Sequence, residues 1–162
     1  MAITEGDRLP DADLLRMGED GPEPVSLSAL AKGRRIALFA VPGAYTGICT
    51  SSHVPSFIRT RDGFAQKGVE EIVCVAVNDP FVMRAWGVAT GATDAGITML
   101  ADAGGAFTRA VGMDFDAPSR GFHGRSKRYA MIVEDGVVRT LHVEESPGTC
   151  EASGGEALLA TL

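Results

Sequence analysis

The stretch IALFAVPGAYTGICTSSH, Ile36 to His53, runs from an unbroken apolar segment through a Pro-Gly turn to one cysteine among small hydroxylated residues. Ile36 to Val41 has the pattern of a strand buried on both faces, and Pro42 ends it. A helix is expected to begin near Cys49 and run into the sixties, because Val54, Phe57, Ile58 and Phe64 keep a helical spacing. Pro55 predicts a kink in it. Cysteine is usually a buried small hydrophobe. Here its polar neighbours and its place in a first helical turn imply a thiol kept for reaction. The N–H groups and positive dipole end of such a turn favour the thiolate, the nucleophilic form of cysteine.

Working outward, Glu71 to Val77 (EIVCVAV) is a second buried strand, followed by Asn78-Asp79-Pro80 as a helix start. The helix over 80–89 carries Phe81, Met83, Ala85 and Trp86, with Phe81 and Trp86 read as core or subunit contacts. Ile97 to Ala101 is a third strand, and Ala106 to Val111 a short helix closed by Gly112. Residues 112–125 read as a long loop bordering a site. Arg128 to Val133 and Val137 to Val143 flank Asp135-Gly136, a hairpin signal. Residues 157–162 end the chain as a helix. Before the opening stretch, residues 11–17 and 24–27 pair as a hairpin around GEDGPEP, and Ser26 or Ser28 caps a short helix ending at Gly33. The order implies an α/β fold, a mixed central sheet flanked by helices on both faces. It fits a thioredoxin-like fold with an N-terminal hairpin extension, as a single domain over residues 1–162.

Composition narrows the function. Of 162 residues, 45% are hydrophobic, enough to bury a core, and the net charge is −6. The basic residues are scattered, apart from Arg120, Arg125, Lys127 and Arg128, which argues against nucleic acid as a partner. No apolar run approaches the roughly 20 residues needed to span a bilayer, and MAITEGDRLP lacks a secretory pattern. Three cysteines make no disulfide framework, so a cytoplasmic, reducing location is expected.

Pro42, Thr46 and Cys49 stand in the spacing Pro-x-x-x-Thr-x-x-Cys, which resembles the active-site signature of the peroxiredoxins. The likeness is greatest to the type II, or peroxiredoxin-five, subfamily, whose usual run is Pro-Gly-Ala-Phe-Thr-x-x-Cys followed by His-x-Pro-Gly-Phe. Here the run is PGAYTGIC and HVPSF, with Tyr45 for phenylalanine and Ser56 for glycine. KGVEEIVCVAVNDPFVMRAWG (67–87) and RSKRYAMIVEDGVV (125–138) extend the resemblance over nearly the whole chain. It implies a thioredoxin-fold peroxidase with no metal or organic cofactor, reducing hydrogen peroxide and organic hydroperoxides. The peroxidatic cysteine maps to Cys49, the hydroxyl residue to Thr46, the shielding proline to Pro42 and the conserved arginine to Arg128. A homodimer is expected, with thioredoxin, glutaredoxin or glutathione as reductant. The resolving cysteine is expected at Cys150, in an exposed loop, rather than at Cys74, which belongs to the core.

Other readings are weaker. Cys49 and His53 share a helix face, yet no orienting group or further ligand pair supports a cysteine hydrolase or a zinc site. The family also carries a histidine there, in a structural or substrate-adjacent role. The absence of Cys-x-x-Cys argues against a general disulfide oxidoreductase. A peroxide-responsive sensor or holdase with little turnover is the main alternative. His123 and His142 read as surface, and the acidic residues at 134, 135, 144 and 145 as solvated hairpin ends.

Overall fold

The computed structural model describes residues 2–146 and 148–162; Pro147, part of the loop read before Cys150, lies outside the described residues. The apolar run from the opening stretch is strand β3 (Arg35–Val41). Its side chains alternate between two cores. Ala37, Phe39 and Val41 face one, and Ile36, Leu38 and Ala40 the other. Strand β4 (Glu71–Ala76) runs parallel beside it and repeats the pattern, with Ile72 and Cys74 on the first face and Val73 and Val75 on the second.

Around these two the sheet is completed by β1 (Asp13–Gly18), β2 (Gly21–Ser26), β5 (Thr98–Ala101), β8 (Tyr129–Glu134) and β9 (Val137–Val143). The order is β2-β1-β5-β4-β3-β8-β9, mixed in direction. The N-terminal hairpin β1–β2 is the extension expected, joined to the sheet edge through Leu15 and Ala101. Asp135 and Gly136 both take positive φ (48° and 78°), the mirror-image turn that matches strand twist in the β8–β9 hairpin.

Helices α2 (Val54–Gln66), α3 (Pro80–Thr90) and α5 (Gly155–Leu159) supply Phe57, Trp86 and Leu158 to the first core. Helices α1 (Leu27–Ala31) and α4 (Ala106–Ala110) supply Leu27 and Phe107 to the second. The caps are the expected ones: Ser26 Oγ accepts from Ala29 N, and Asp79 Oδ1 from Val82 N. Trp86 is core, whereas Phe81 is 61% exposed.

One expectation is corrected and one is sharpened. Residues 112–125 are not a loop but contain a two-stranded hairpin, β6 (Asp114–Ala117) and β7 (Phe122–Ser126), joined by a single 3-10 turn. Its strands are short, half-exposed and polar, so they lack the apolar alternation that marks a strand. Where Pro55 predicts an irregularity, the helix carries a π-helical turn over Cys49–His53. Val54 N–H reaches back five residues to the Cys49 carbonyl, and Pro55, with no N–H to donate, follows in the first turn of α2.

The seat of α5 on α2 depends on Gly155. A Cβ there would stand 2.5 Å from both the Ser56 carbonyl oxygen and Thr60 Oγ1. Gly155→Ala is expected to destabilise the protein by about 1–3 kcal/mol in urea denaturation. Gly104→Ala, with nothing within 4 Å, should be near neutral; equal effects at both positions would contradict this packing.

Candidate active site

Antiparallel pairing of β3 with β8 places Ala40 opposite Tyr129. The end of β3 and the start of β8 therefore meet, and Arg128 comes beside the Pro42–Cys49 loop. In that loop Tyr45 takes φ 64°, a left-handed conformation that L side chains adopt only at a cost. The reversal turns Thr46 back toward Cys49. Thr50 N–H then bonds the Thr46 carbonyl (3.1 Å), closing the turn that carries Cys49.

At the centre is the Cys49 sulfur, which is fully buried. Thr46 Oγ1 lies 2.8 Å from Cys49 Sγ, and Arg128 Nη2 lies 3.0 Å from it. Thr46 Oγ1 is also 2.7 Å from the Gly43 carbonyl oxygen, so its single proton has two acceptors to choose between. Donors on two sides stabilise negative charge on the sulfur and on an oxygen bound against it.

His53 completes the arrangement. Its Nδ1 is 2.9 Å from Arg128 Nη1 and its Nε2 is 2.9 Å from the Ser153 carbonyl oxygen. A guanidinium offers only donors and a carbonyl only accepts. Nδ1 is therefore the acceptor and Nε2 carries the proton, so the ring is the neutral tautomer. Burial, and then the neighbouring Arg128 charge, lower the imidazole pKa from 6.5 to about 3. This is the orienting partner that the local sequence did not show: its contacts lie 75 and 100 residues away. Phe39 packs against the ring, with centroids 4.9 Å apart.

The remaining expected residues fall around this centre. Pro42 is buried at the end of β3, and its carbonyl accepts from Arg125 Nη1 (3.1 Å). Arg125 lies over the Phe122 ring at 5.4 Å and would collide with a Cβ at Gly43. The β6–β7 hairpin thus braces the Pro42–Cys49 turn. Trp86 Nε1 donates to Thr50 Oγ1 (3.1 Å), bracing it from α3.

All three cysteines are free thiols. Cys74 is fully buried on β4, and burial pushes its thiol pKa well up. Cys150 is half-buried rather than fully exposed, with its thiol also pushed up by burial, beside a cavity of about 360 Å³ lined by Ser51, Ser52 and Arg59. Among the described residues no three His, Cys, Asp or Glu side chains could together hold a metal ion.

The expectation of solvated hairpin ends fails at Glu144, which is buried. Burial opposes its ionisation, but Ser153 Oγ–H and the N–H groups of Ser153, Glu151 and Ala152 outweigh that and lower its pKa. Nor is His142 without a contact: its Nδ1 donates to the Ala152 carbonyl (2.7 Å).

His53 makes stability depend on pH. Between about 6.5 and about 3 the unfolded chain binds a proton that the folded chain does not, so stability falls as pH falls through this window. The expected slope from this residue is about 1.4 kcal/mol per pH unit. Urea denaturation of wild type and His53→Gln from pH 7 to 4 checks it. The variant should be less stable at pH 7 yet show the shallower slope, and parallel slopes would contradict the assignment.

Comparison with known proteins places the whole chain in one family. Residues 4–159 match the Redoxin family. The rice protein Peroxiredoxin-2E-2, chloroplastic, is 43% identical over 99% of this chain and 72% of its own length. Reduced Prx3 from Vibrio vulnificus, solved in complex with H2O2, superposes with a TM-score of 0.90 at 44% identity, covering 98% of each chain. Peroxiredoxin 5 from Alvinella pompejana gives a TM-score of 0.85 at 34% identity, over 98% of this chain and 97% of its own. With the thioredoxin-like sheet and a cysteine held between a threonine and an arginine already in place, the chain belongs to the peroxiredoxins of the type II, peroxiredoxin-five-like group, and is a thiol-dependent peroxidase.

Proposed function

We propose that Cys49 is the peroxidatic cysteine and that residues 1–162 act as one domain reducing hydrogen peroxide and organic hydroperoxides. The observation that carries this reading is the pair of donors on one sulfur, Thr46 Oγ1 at 2.8 Å and Arg128 Nη2 at 3.0 Å. The Cys49 thiolate attacks one peroxide oxygen, and the O–O bond breaks as the S–O bond forms. Sulfur gives up two electrons and becomes a sulfenic acid; the departing oxygen takes a proton and leaves as water or an alcohol. Arg128 and Thr46 meet the charge growing on that oxygen, and Pro42 shields the sulfur from bulk water. The H2O2 named in the Vibrio relative's structure supports the same substrate here.

A second thiol then attacks the sulfenic sulfur, releasing water and forming a disulfide. Cys150 is the proposed resolving residue, because it lies half-buried in a segment outside helix and strand, whereas Cys74 is set in a central strand. An external dithiol or thiol (thioredoxin, glutaredoxin or glutathione) returns both cysteines to the reduced state. A cytoplasmic location suits three free thiols. No helix of the described residues is long and apolar enough to cross a membrane. The proposed homodimer is supported by Tyr45 (56% exposed) and Phe81 (61%), whose segments are joined by Ala44 N–H on Asn78 Oδ1 at 2.9 Å.

Cys49→Ser is expected to abolish peroxide consumption without loss of fold; comparable turnover would show that another residue reacts. Arg128→Ala and Thr46→Val should each slow Cys49 oxidation by roughly tenfold to a thousandfold, and stopped-flow rates unchanged in both would contradict their roles. After one equivalent of peroxide, a non-reducing peptide map should show Cys49 joined to Cys150. A Cys49–Cys74 peptide would overturn the resolving assignment, as would a glutathione adduct on Cys49 with full turnover in Cys150→Ser.

A further inference from the structure

Strand pairing of β8 with β9 places Tyr129 opposite Val143, so Glu144 emerges beside Arg128. Its backbone N–H bonds the Arg128 carbonyl at 2.9 Å. Its carboxylate turns toward the segment bearing Cys150, where Oε2 accepts from Ser153 N (2.6 Å), Ser153 Oγ (2.5 Å) and Glu151 N (3.0 Å). A buried carboxylate costs much to leave unpaired, and three short donors to one oxygen compensate it. Its reach does not stop at Ser153. The carbonyl of that same residue accepts the Nε2 proton of His53, whose Nδ1 accepts from Arg128, whose other nitrogen donates to the Cys49 sulfur.

We propose that Glu144 is a positioning residue for the peroxidase reaction: it fixes Ser153, and through Ser153 and His53 it fixes the Arg128 guanidinium against Cys49, while restraining the Cys150 segment. This rests on the reading of Cys49 and Arg128 as the reacting pair. One side chain thereby acts in opposite senses on two steps. With the carboxylate in place Arg128 is held for the attack on peroxide, and Cys150 is held back from the sulfenic acid. Without it the Ser153 carbonyl loses its anchor, His53 loses a fixed acceptor and the guanidinium loses its aim, while residues 149–153 move more freely. Misplacement of a transition-state donor by a fraction of an ångström is enough to slow a reaction severalfold or more.

The experiment follows wild type, Glu144→Gln and Glu144→Ala. Oxidation of Cys49 by hydrogen peroxide, measured by stopped-flow, is expected to fall about tenfold in Glu144→Ala and less in Glu144→Gln, which keeps a carbonyl acceptor. Conversion of the sulfenic acid to the Cys49–Cys150 disulfide is expected to rise about threefold or more, since fewer bonds hold the segment. The His53 Nε2 proton, observed by NMR with labelled histidine, should exchange with water about tenfold faster as its acceptor loosens. Oxidation within twofold of wild type in a folded Glu144→Ala protein overturns the proposal, and so does an unchanged His53 proton. Should the alanine variant not fold, Glu144→Gln decides by the same two readings, with any significant fall in rate supporting the proposal and none overturning it. Wild type that oxidises at Cys49 without forming a Cys49–Cys150 disulfide refutes the restraint on Cys150, and wild type whose Cys49 does not react with peroxide refutes the underlying site reading instead.

Discussion

A guanidinium only 2% exposed is tolerable in a protein interior when its charge and its N–H groups are met by fixed partners. Arg128 is such a group, and the site is organised around satisfying it. One nitrogen faces the Cys49 sulfur, another the Nδ1 lone pair of a histidine held neutral. Burial already disfavours a protonated His53, and a second cation beside Arg128 adds to that, so the imidazole stays neutral. A sulfur that bears negative charge is the natural complement. The Arg128–Cys49 contact is thus both a folding constraint and the means by which charge on sulfur and oxygen is accommodated in the proposed reaction.

The fold brings these groups together from four separate places. β3 delivers the turn that ends at Cys49, and β8 delivers Arg128 through its pairing with β3. The π-helical turn over Cys49–His53 supplies His53, and the segment before α5 supplies the Ser153 carbonyl. Two further elements brace the assembly: Arg125 from the β6–β7 hairpin holds the Pro42 carbonyl, and Trp86 from α3 holds Thr50. Gly155 lets α5 approach α2 closely, which brings the 149–154 segment against the same helix that carries Cys49.

Much of this was legible in the sequence where the physics is local. The apolar runs at Ile36 to Val41 and Glu71 to Val77 could only be strands buried on both faces, and Asp135-Gly136 could be read as a turn because it needs positive φ at both positions. Thr46 and Cys49 are three residues apart and meet through one turn of backbone. Arg128 came from the family resemblance, since nothing near it in the chain marks it as buried. The rest carries no side-chain pattern that marks it. Glu144 looks like any acid at a hairpin end until the Cys150 segment folds over it. Ser153 acts through its backbone carbonyl, which no side-chain pattern reveals. The β6–β7 hairpin, half-exposed on both strands, carries no apolar period to betray it.

In the proposed reaction Arg128 acts on the oxygen charge that develops during attack and not only on the charge of the sulfur. The most direct measurement compares the rates at which Cys49 reacts with hydrogen peroxide and with iodoacetamide, in wild type and in Arg128→Lys. Lysine keeps a positive charge but loses the planar pair of donors. Alkylation is expected to stay within about threefold while peroxide oxidation falls by about tenfold or more. An equal fall in both rates would contradict it, because the arginine would then be serving the sulfur alone.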